Sequence, residues 1–189
     1  MENRWRQLRV TAISSSGVWS VSTYRLRIAG KLDLPALNVI IRHAVASWDA
    51  TERVKRLAVP VYQYRQDDLD HMWLLVAEGS DRKLLGLAAL EEADGADVPS
   101  GGPGLLLHGI YVKPPAMGLG IGAQLVAASA GISRALGCDG LLVKSVRQSR
   151  GFFAQCGMQS LPAIKSGDYP YRYWLPGSAE RECHYSEVP

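Results

Sequence analysis

The sequence is poor in several features that would define a class at once. It has three cysteines, Cys138, Cys156 and Cys183, an odd number with no two close together. That gives neither a disulfide framework nor the paired spacing of a zinc site, so no metal is expected and a reducing cytoplasm is implied. No apolar run approaches the roughly 20 residues that span a bilayer, and the opening MENRWRQLRV lacks the apolar core of a signal peptide. Net charge is small: 21 Lys and Arg against 18 Asp and Glu leave +3. The one tight basic cluster is Arg4, Arg6 and Arg9. This is too little for a nucleic-acid surface, though mild basicity suits a polyanionic ligand. What remains is a chain of 189 residues, 47% hydrophobic and 21% charged, enough for one domain with a real core. A cytoplasmic protein without membrane or nucleic-acid partners is expected.

The patterning alternates between strand and helix periods. Apolar-alternating runs at 7–13 and 18–28 flank Ser14-Ser15-Ser16-Gly17 and read as a hairpin. Asp33 has the position of a helix N-cap with Pro35 just inside, and Leu37, Ile40, Ile41, Ala44, Val45 and Trp48 follow at helical spacing. Asp49 or Thr51 caps a second short helix to about Val59. Residues 72–78 and 83–91 form a second hairpin, 93–104 is loop by composition, and 105–112 is the next strand. From Gly120 the residues Ile121, Leu125, Ala128, Ile132 and Ala135 share one helical face, which Gly137 ends. A strand at 140–146, a short helix at 147–156 and two strands at 158–164 and 169–175 complete the series. The expected order is β-β-α-α-β-β-β-α-β-α-β-β: a mixed α/β fold whose sheet is largely antiparallel, with one βαβ unit over 105–146.

The centre of that unit, Met117-Gly118-Leu119-Gly120-Ile121-Gly122-Ala123, holds glycines at alternate positions between a strand and a helix. Glycines let backbone N–H groups approach an anion, and a helix N-terminus adds its dipole and its unpaired donors. The plainer alternative is a tight turn in which glycine serves sterics alone. Gly118-x-Gly120-x-x-Ala123 fits the dinucleotide fingerprint in form, but it lies two-thirds of the way down the chain, and the nearest acidic residue, Asp139, precedes the next strand. A nucleoside-triphosphate loop needs Lys-Ser/Thr where Gln124-Leu125 stands.

The run IYVKPPAMGLGIGAQLV resembles the acyl-CoA-binding motif of the GNAT superfamily of N-acetyltransferases. Val112-Lys113-Pro114 matches its strand end and Gly120-Ile121-Gly122 its glycine core. SRGFFAQCGM resembles a second block of the family, with Phe152-Phe153 and Gly157-Met158 in the matching places, and YRLRIAGKLDLPAL is similar to its first strand and helix. The resemblance covers about Val21 to Leu175. It implies the acyl-CoA N-acyltransferase fold, acetyl-CoA as co-substrate, and direct attack by a primary amine in a ternary complex. It places the cofactor along Ile110, Tyr111 and Val112, at Met117, Gly118, Leu119, Gly120, Ile121, Gly122 and Ala123, and beside Ser145, Ser149 and Phe153. The chain departs from the family at three positions. Met117 replaces the usual Arg or Gln, Phe153 replaces a proton-donating Tyr, and Leu106 replaces a strand Glu.

The implied chemistry needs a base for the amine, a donor for the oxyanion and a proton for the leaving thiolate. The resemblance implies a strand N–H near 110–112 as the oxyanion donor. His108, two residues before Ile110, is the candidate catalytic base, because imidazole accepts protons near neutral pH. A histidine hydrogen-bonded within the sheet is the alternative. Gly109 marks a bulge. Glu91, Glu92 and the late aromatic run Tyr169, Tyr171, Tyr173 and Trp174 are candidates for an acceptor surface. Lys144, Arg147 and Arg150 are candidates for the CoA 3′-phosphate. The expected organisation is an N-terminal strand or extension over 1–20, an acetyltransferase domain over 21–176 and a mobile tail over 177–189. The partner is a small-molecule or peptide amine, and a homodimer is compatible. The competing functions are a CoA-sensing or interaction module on the same fold, and an NAD-binding oxidoreductase.

Overall fold

Among the described residues, eight strands form one sheet in the order β1-β2-β3-β4-β5-β6-β8-β7. The structure is a computed structural model that describes residues 20–21, 24–163 and 169–177. Strands β1 (Ser20–Val21), β2 (Tyr24–Ile28), β3 (Trp73–Gly79), β4 (Leu84–Glu92) and β5 (Leu105–Val112) pair antiparallel in sequence. Strand β6 (Gly140–Ser145) runs parallel to β5, the one parallel pairing among the described residues. Strands β8 (Tyr171–Pro176) and β7 (Gln159–Leu161) continue antiparallel. The helices are α1 (Leu34–Ala46), α2 (Glu52–Tyr62), α3 (Ile121–Ala135) and α4 (Arg150–Gln155).

The expected order of elements holds where it can be compared. The strand expected at 7–13 and the tail beyond 177 lie outside the described residues. The run expected as one strand at 18–28 contains two, β1 and β2, paired with each other through Val21 and Tyr24. The second helix continues past Val59 to Tyr62, with Pro60 in its last turn and the Thr51 hydroxyl accepting from the Val54 N–H at 3.4 Å.

Strands β3 and β4 are apolar almost without interruption because both faces of the sheet are covered. On one face Leu75, Ala88, Leu107 and Leu141 pack beneath α3 and α4, against Ile121, Leu125 and Phe153. On the other, Leu74, Val76, Leu87 and Ala89 pack beneath α1, against Leu37, Ile40 and Ile41. The buried face of α3 is wider than the apolar spacing implies. It includes Ser129, whose hydroxyl donates to the Leu125 carbonyl at 2.7 Å, while Ala135 is exposed and Leu136 closes the face instead.

Asp33 occupies the N-cap position of α1, but its side chain does not cap the helix. Its carboxylate accepts from the Gly30 N–H and from both Nη atoms of Arg27, each at 2.8 Å. Arg27 also donates to Glu78 through Nε at 2.5 Å, and Arg25 donates to Glu78 at 2.7 Å. The guanidinium of Arg27 holds both carboxyl groups below their ordinary range. Glu78 is 4% exposed, so removing its charge leaves two arginines without their buried partner. Since Arg25 stays half in water, Glu78→Gln is expected to cost about 2 kcal/mol at pH 7, less than a fully buried pair, or roughly 4–8 °C in melting temperature. Both folded-state carboxyls titrate low. Their stabilisation is therefore complete above the ordinary carboxylate range and is lost as pH falls through the depressed values. Melts of wild type and variant should converge as the pH is lowered. A gap that persists in acid would show that the network acts through packing alone.

Candidate functional site

The site is built where β5 hands the chain to α3. After Lys113 a single 3-10 turn, Pro114–Ala116, leads into the glycine segment. Gly118 and Gly120 have φ of +80° and +76°, a backbone region that side chains with a Cβ rarely adopt. A Cβ on either would meet nothing within 4 Å. Gly122 has a different reason to be small: a Cβ there would lie 3.1 Å from the Phe152 ring. The steric explanation of the glycines is thus correct as far as it goes, and it leaves open space beside Gly118 and Gly120. Met117 and Leu119 flank it, both apolar and both more than half exposed.

The first backbone bond of α3 runs from the Gln124 N–H to the Gly120 carbonyl. The N–H groups of Ile121, Gly122 and Ala123 therefore have no acceptor within the helix, and no side chain caps it. The Ile121 side chain is buried and anchors the turn to the sheet. Gly86 on β4 permits this approach, since a Cβ there would lie 2.9 Å from the Tyr111 carbonyl oxygen and 3.2 Å from Ile121 Cγ2. The result is a fixed helix N-terminus with donors the helix does not use, next to open space at Gly118 and Gly120, the electrostatics of an anion seat.

Beside it the sheet opens. Strand β5 pairs with β6 only through Leu105, Leu106 and Leu107, opposite Leu141, Leu142 and Val143. Beyond that point 109–112 keep their β4 neighbours, and Lys144 and Ser145 keep β8, but the two strands no longer meet. The register explains where the divergence starts. Ala89 faces Gly109 and Leu90 faces Leu107, so His108 is an extra residue, and such an insertion bends and twists its strand. His108 is exposed. Ile110 and Val112 pack toward the α3 face, and Tyr111 packs toward the opposite one. Ser145 is buried, its hydroxyl 3.4 Å from the Val146 carbonyl, and Ser149 is the half-buried residue before α4.

On the face opposite α3, aromatic residues gather over the bulge. A Cβ on Gly109 would lie 2.9 Å from Tyr111 Cε2 and 3.0 Å from the Tyr64 hydroxyl. The Tyr62 ring meets Tyr111 edge-on at 6.5 Å and Trp48 at 5.4 Å. The Tyr62 hydroxyl is 2.5 Å from that of Tyr169, 107 residues away. Burial raises the Tyr64 and Tyr111 phenols well above the ordinary tyrosine value, so both stay protonated; Glu91 adds to the effect on Tyr64, and Tyr62 and Tyr169 to that on Tyr111.

Other side chains near these elements have partners of their own. Phe153, expected to line the cofactor, is 3% exposed in the core, its ring 5.6 Å from Tyr173 and 5.1 Å from Phe152. Lys144 pairs with Asp97 at 2.5 Å on the covering loop, and Arg150 lies 4.7 Å over the Tyr171 ring. Cys156 is partly buried, which pushes its thiol up. Trp48, Tyr62 and Tyr64 were not anticipated at a site. Trp48 reads as one more apolar position at the spacing of the first helix, and only Tyr62-Gln63-Tyr64, a phenol pair at the end of α2, offered a local signal. Among the described residues no His, Cys, Asp and Glu cluster could hold a metal ion, and no helix is long and apolar enough to cross a membrane.

The sequence profile of the acetyltransferase (GNAT) family matches residues 39–158, and the chain belongs to that family. Solved structures share the fold. The PaiA N-acetyltransferase from Thermoplasma acidophilum, in complex with coenzyme A, is 15% identical; the match covers 81% of this chain and 98% of that one, with a TM-score of 0.66. An N-acetyltransferase from Staphylococcus aureus is 21% identical over 83% and 100% of the two chains, with a TM-score of 0.57. AtaTR bound with AcCoA is 19% identical over 83% and 95%, with the same score. No curated protein sequence matches. The dinucleotide alternative fails on the sheet itself, which is mainly antiparallel and not doubly wound.

Proposed function

We propose that the protein is an acetyl-CoA-dependent N-acetyltransferase acting on a primary amine. The observation that carries the proposal is the anion seat at the start of α3 standing next to an opening between two strands. The N–H groups of Ile121, Gly122 and Ala123 bind the pyrophosphate. Gly118 and Gly120 give it room, and Met117 and Leu119 shield its flanks. The unpaired edge of β5 at Ile110, Tyr111 and Val112 holds the pantetheine arm, with Ser145 and Ser149 across the gap. Bound acetyl-CoA supplies an activated acetyl group. In the net reaction the acetyl–sulfur bond breaks and an acetyl–nitrogen bond forms; the amine loses one proton and the departing thiolate gains one. The chain's part is to align the reactants, which alone lowers a barrier substantially. It also accepts the amine's proton at His108 and presents a strand N–H to the carbonyl oxygen. With Phe153 in the core no phenol stands at the family's donor position. A thiol is acidic enough for the thiolate to leave near neutral pH without that help.

The position of Phe153 favours one second reading, a CoA-binding module without useful turnover. The deciding experiment is the thermal midpoint of the protein with acetyl-CoA, CoA or NADH at ~100 times a plausible dissociation constant, where a true ligand contributes ~2.7 kcal/mol. A shift with acetyl-CoA and none with NADH is expected. No shift with acetyl-CoA would remove the assignment. A shift without acetylation of any amine would leave the binding module.

A further inference from the structure

From the ring cluster over the β5 bulge we infer the acceptor class: a monoamine carried on a flat apolar body, such as an arylalkylamine. The inference rests on the acetyltransferase reading and deepens it. Tyr111 belongs to the stretch of β5 that has lost β6, and its ring lies over the bulge at Gly109, on the face opposite α3. Tyr62 and Trp48 extend that ring surface along the end of α2, and Tyr169 reaches it from the segment before β8. The wall is thus contributed by three separate parts of the chain that converge on one point of the strand. It offers partly exposed rings, which bind flat apolar groups and attract an ammonium by cation–π interaction.

The charges around the cluster limit the acceptor further. Glu91 on β4, opposite Leu106, and Asp68 are the carboxylates whose charge acts on Tyr64. The acids of the Arg25–Glu78–Arg27–Asp33 network are committed to their arginines, and Asp97 is committed to Lys144. A polycation such as a polyamine or an aminoglycoside needs several free carboxylates spread along its length. The cluster over the bulge offers ring surface instead of such a row, which matches a single ammonium on an apolar carrier.

The test is a panel of acceptors with acetyl-CoA, reading thiol release: 2-phenylethylamine, tyramine and tryptamine against spermidine, kanamycin and a lysine-containing peptide. The aryl amines are expected to exceed the others at least tenfold in kcat/KM. Tyr62→Ala is expected to bring the ratio of 2-phenylethylamine to spermidine to within about twofold. Tyr62→Phe, which keeps the ring and loses the hydroxyl contact to Tyr169, should preserve it. The ratio discriminates because a merely structural loss lowers both substrates together. The wild-type panel decides the matter even where Tyr62→Ala does not fold. Preference for spermidine, kanamycin or the peptide would overturn the inference, as would an unchanged ratio in Tyr62→Ala. If acetyl-CoA still shifts the melting temperature, only the acceptor class falls. If it does not, the acetyltransferase reading falls with it.

Discussion

Gly120→Glu is expected to abolish stabilisation by acetyl-CoA, with affinity reduced a hundredfold or more. Three effects act together. The residue has φ +76°, so any side chain strains the turn that sets the first helical residue. The added carboxylate would enter the open space in front of the N–H groups of Ile121, Gly122 and Ala123, and would compete for the same donors. It would also bring a negative charge against the pyrophosphate. Gly120→Ala separates these contributions. It meets no neighbouring atom and bears only the backbone cost of about 1–2 kcal/mol, so it should bind acetyl-CoA more weakly than wild type and far better than Gly120→Glu. Isothermal titration checks both variants. Equal binding by wild type and Gly120→Glu would place the phosphate elsewhere.

His108→Ala is expected to lower kcat/KM by ~10²–10⁴, the usual contribution of a positioned general base, with the acetyl-CoA thermal shift retained. The argument is geometric. His108 is the residue that the β4–β5 register leaves over, it is exposed, and its neighbour Gly109 forms the floor beneath Tyr64 and Tyr111. A side chain at this point stands at the start of the strand divergence, where the amine must arrive. An extra residue with no cross-strand partner is also one the sheet can lose at little cost, so truncation should leave the melting temperature nearly unchanged. His108→Gln keeps a polar group without the base and should be as slow as His108→Ala. Activity within threefold of wild type in both would remove His108 from the reaction and leave a water chain as the base.

Much of this site was legible because its logic is local. The glycines, the strand before them and the helix after them are contiguous in sequence, and left-handed backbone at Gly118 and Gly120 is a demand that one residue type meets. The bulge was also legible, since Gly109 beside a polar His108 interrupts an otherwise apolar strand. Asp33 shows the limit of local signals. Its place before Leu34-Pro35 has the form of a cap, yet a guanidinium six residues upstream outcompetes the helix for its carboxylate. The aromatic wall was illegible for a related reason. Tyr62 and Tyr169 carry no mutual signature in the chain, and their meeting depends on the whole sheet lying between them. Phe153 packs in the core against Tyr173, a contact that residue type alone does not reveal.

The lengths of the strands have a consequence for assembly. The sheet is longest at its middle, nine residues in β4 and eight in β5, and its outermost described strands have two residues in β1 and three in β7. Among the described residues, each of these outer strands offers a ladder only a few hydrogen bonds long. Short borders of this kind discourage uncontrolled stacking of one chain on the next. A second copy of the protein would gain more by covering the exposed apolar side chains of α2, Val54, Leu57 and Val61, than by lengthening the sheet.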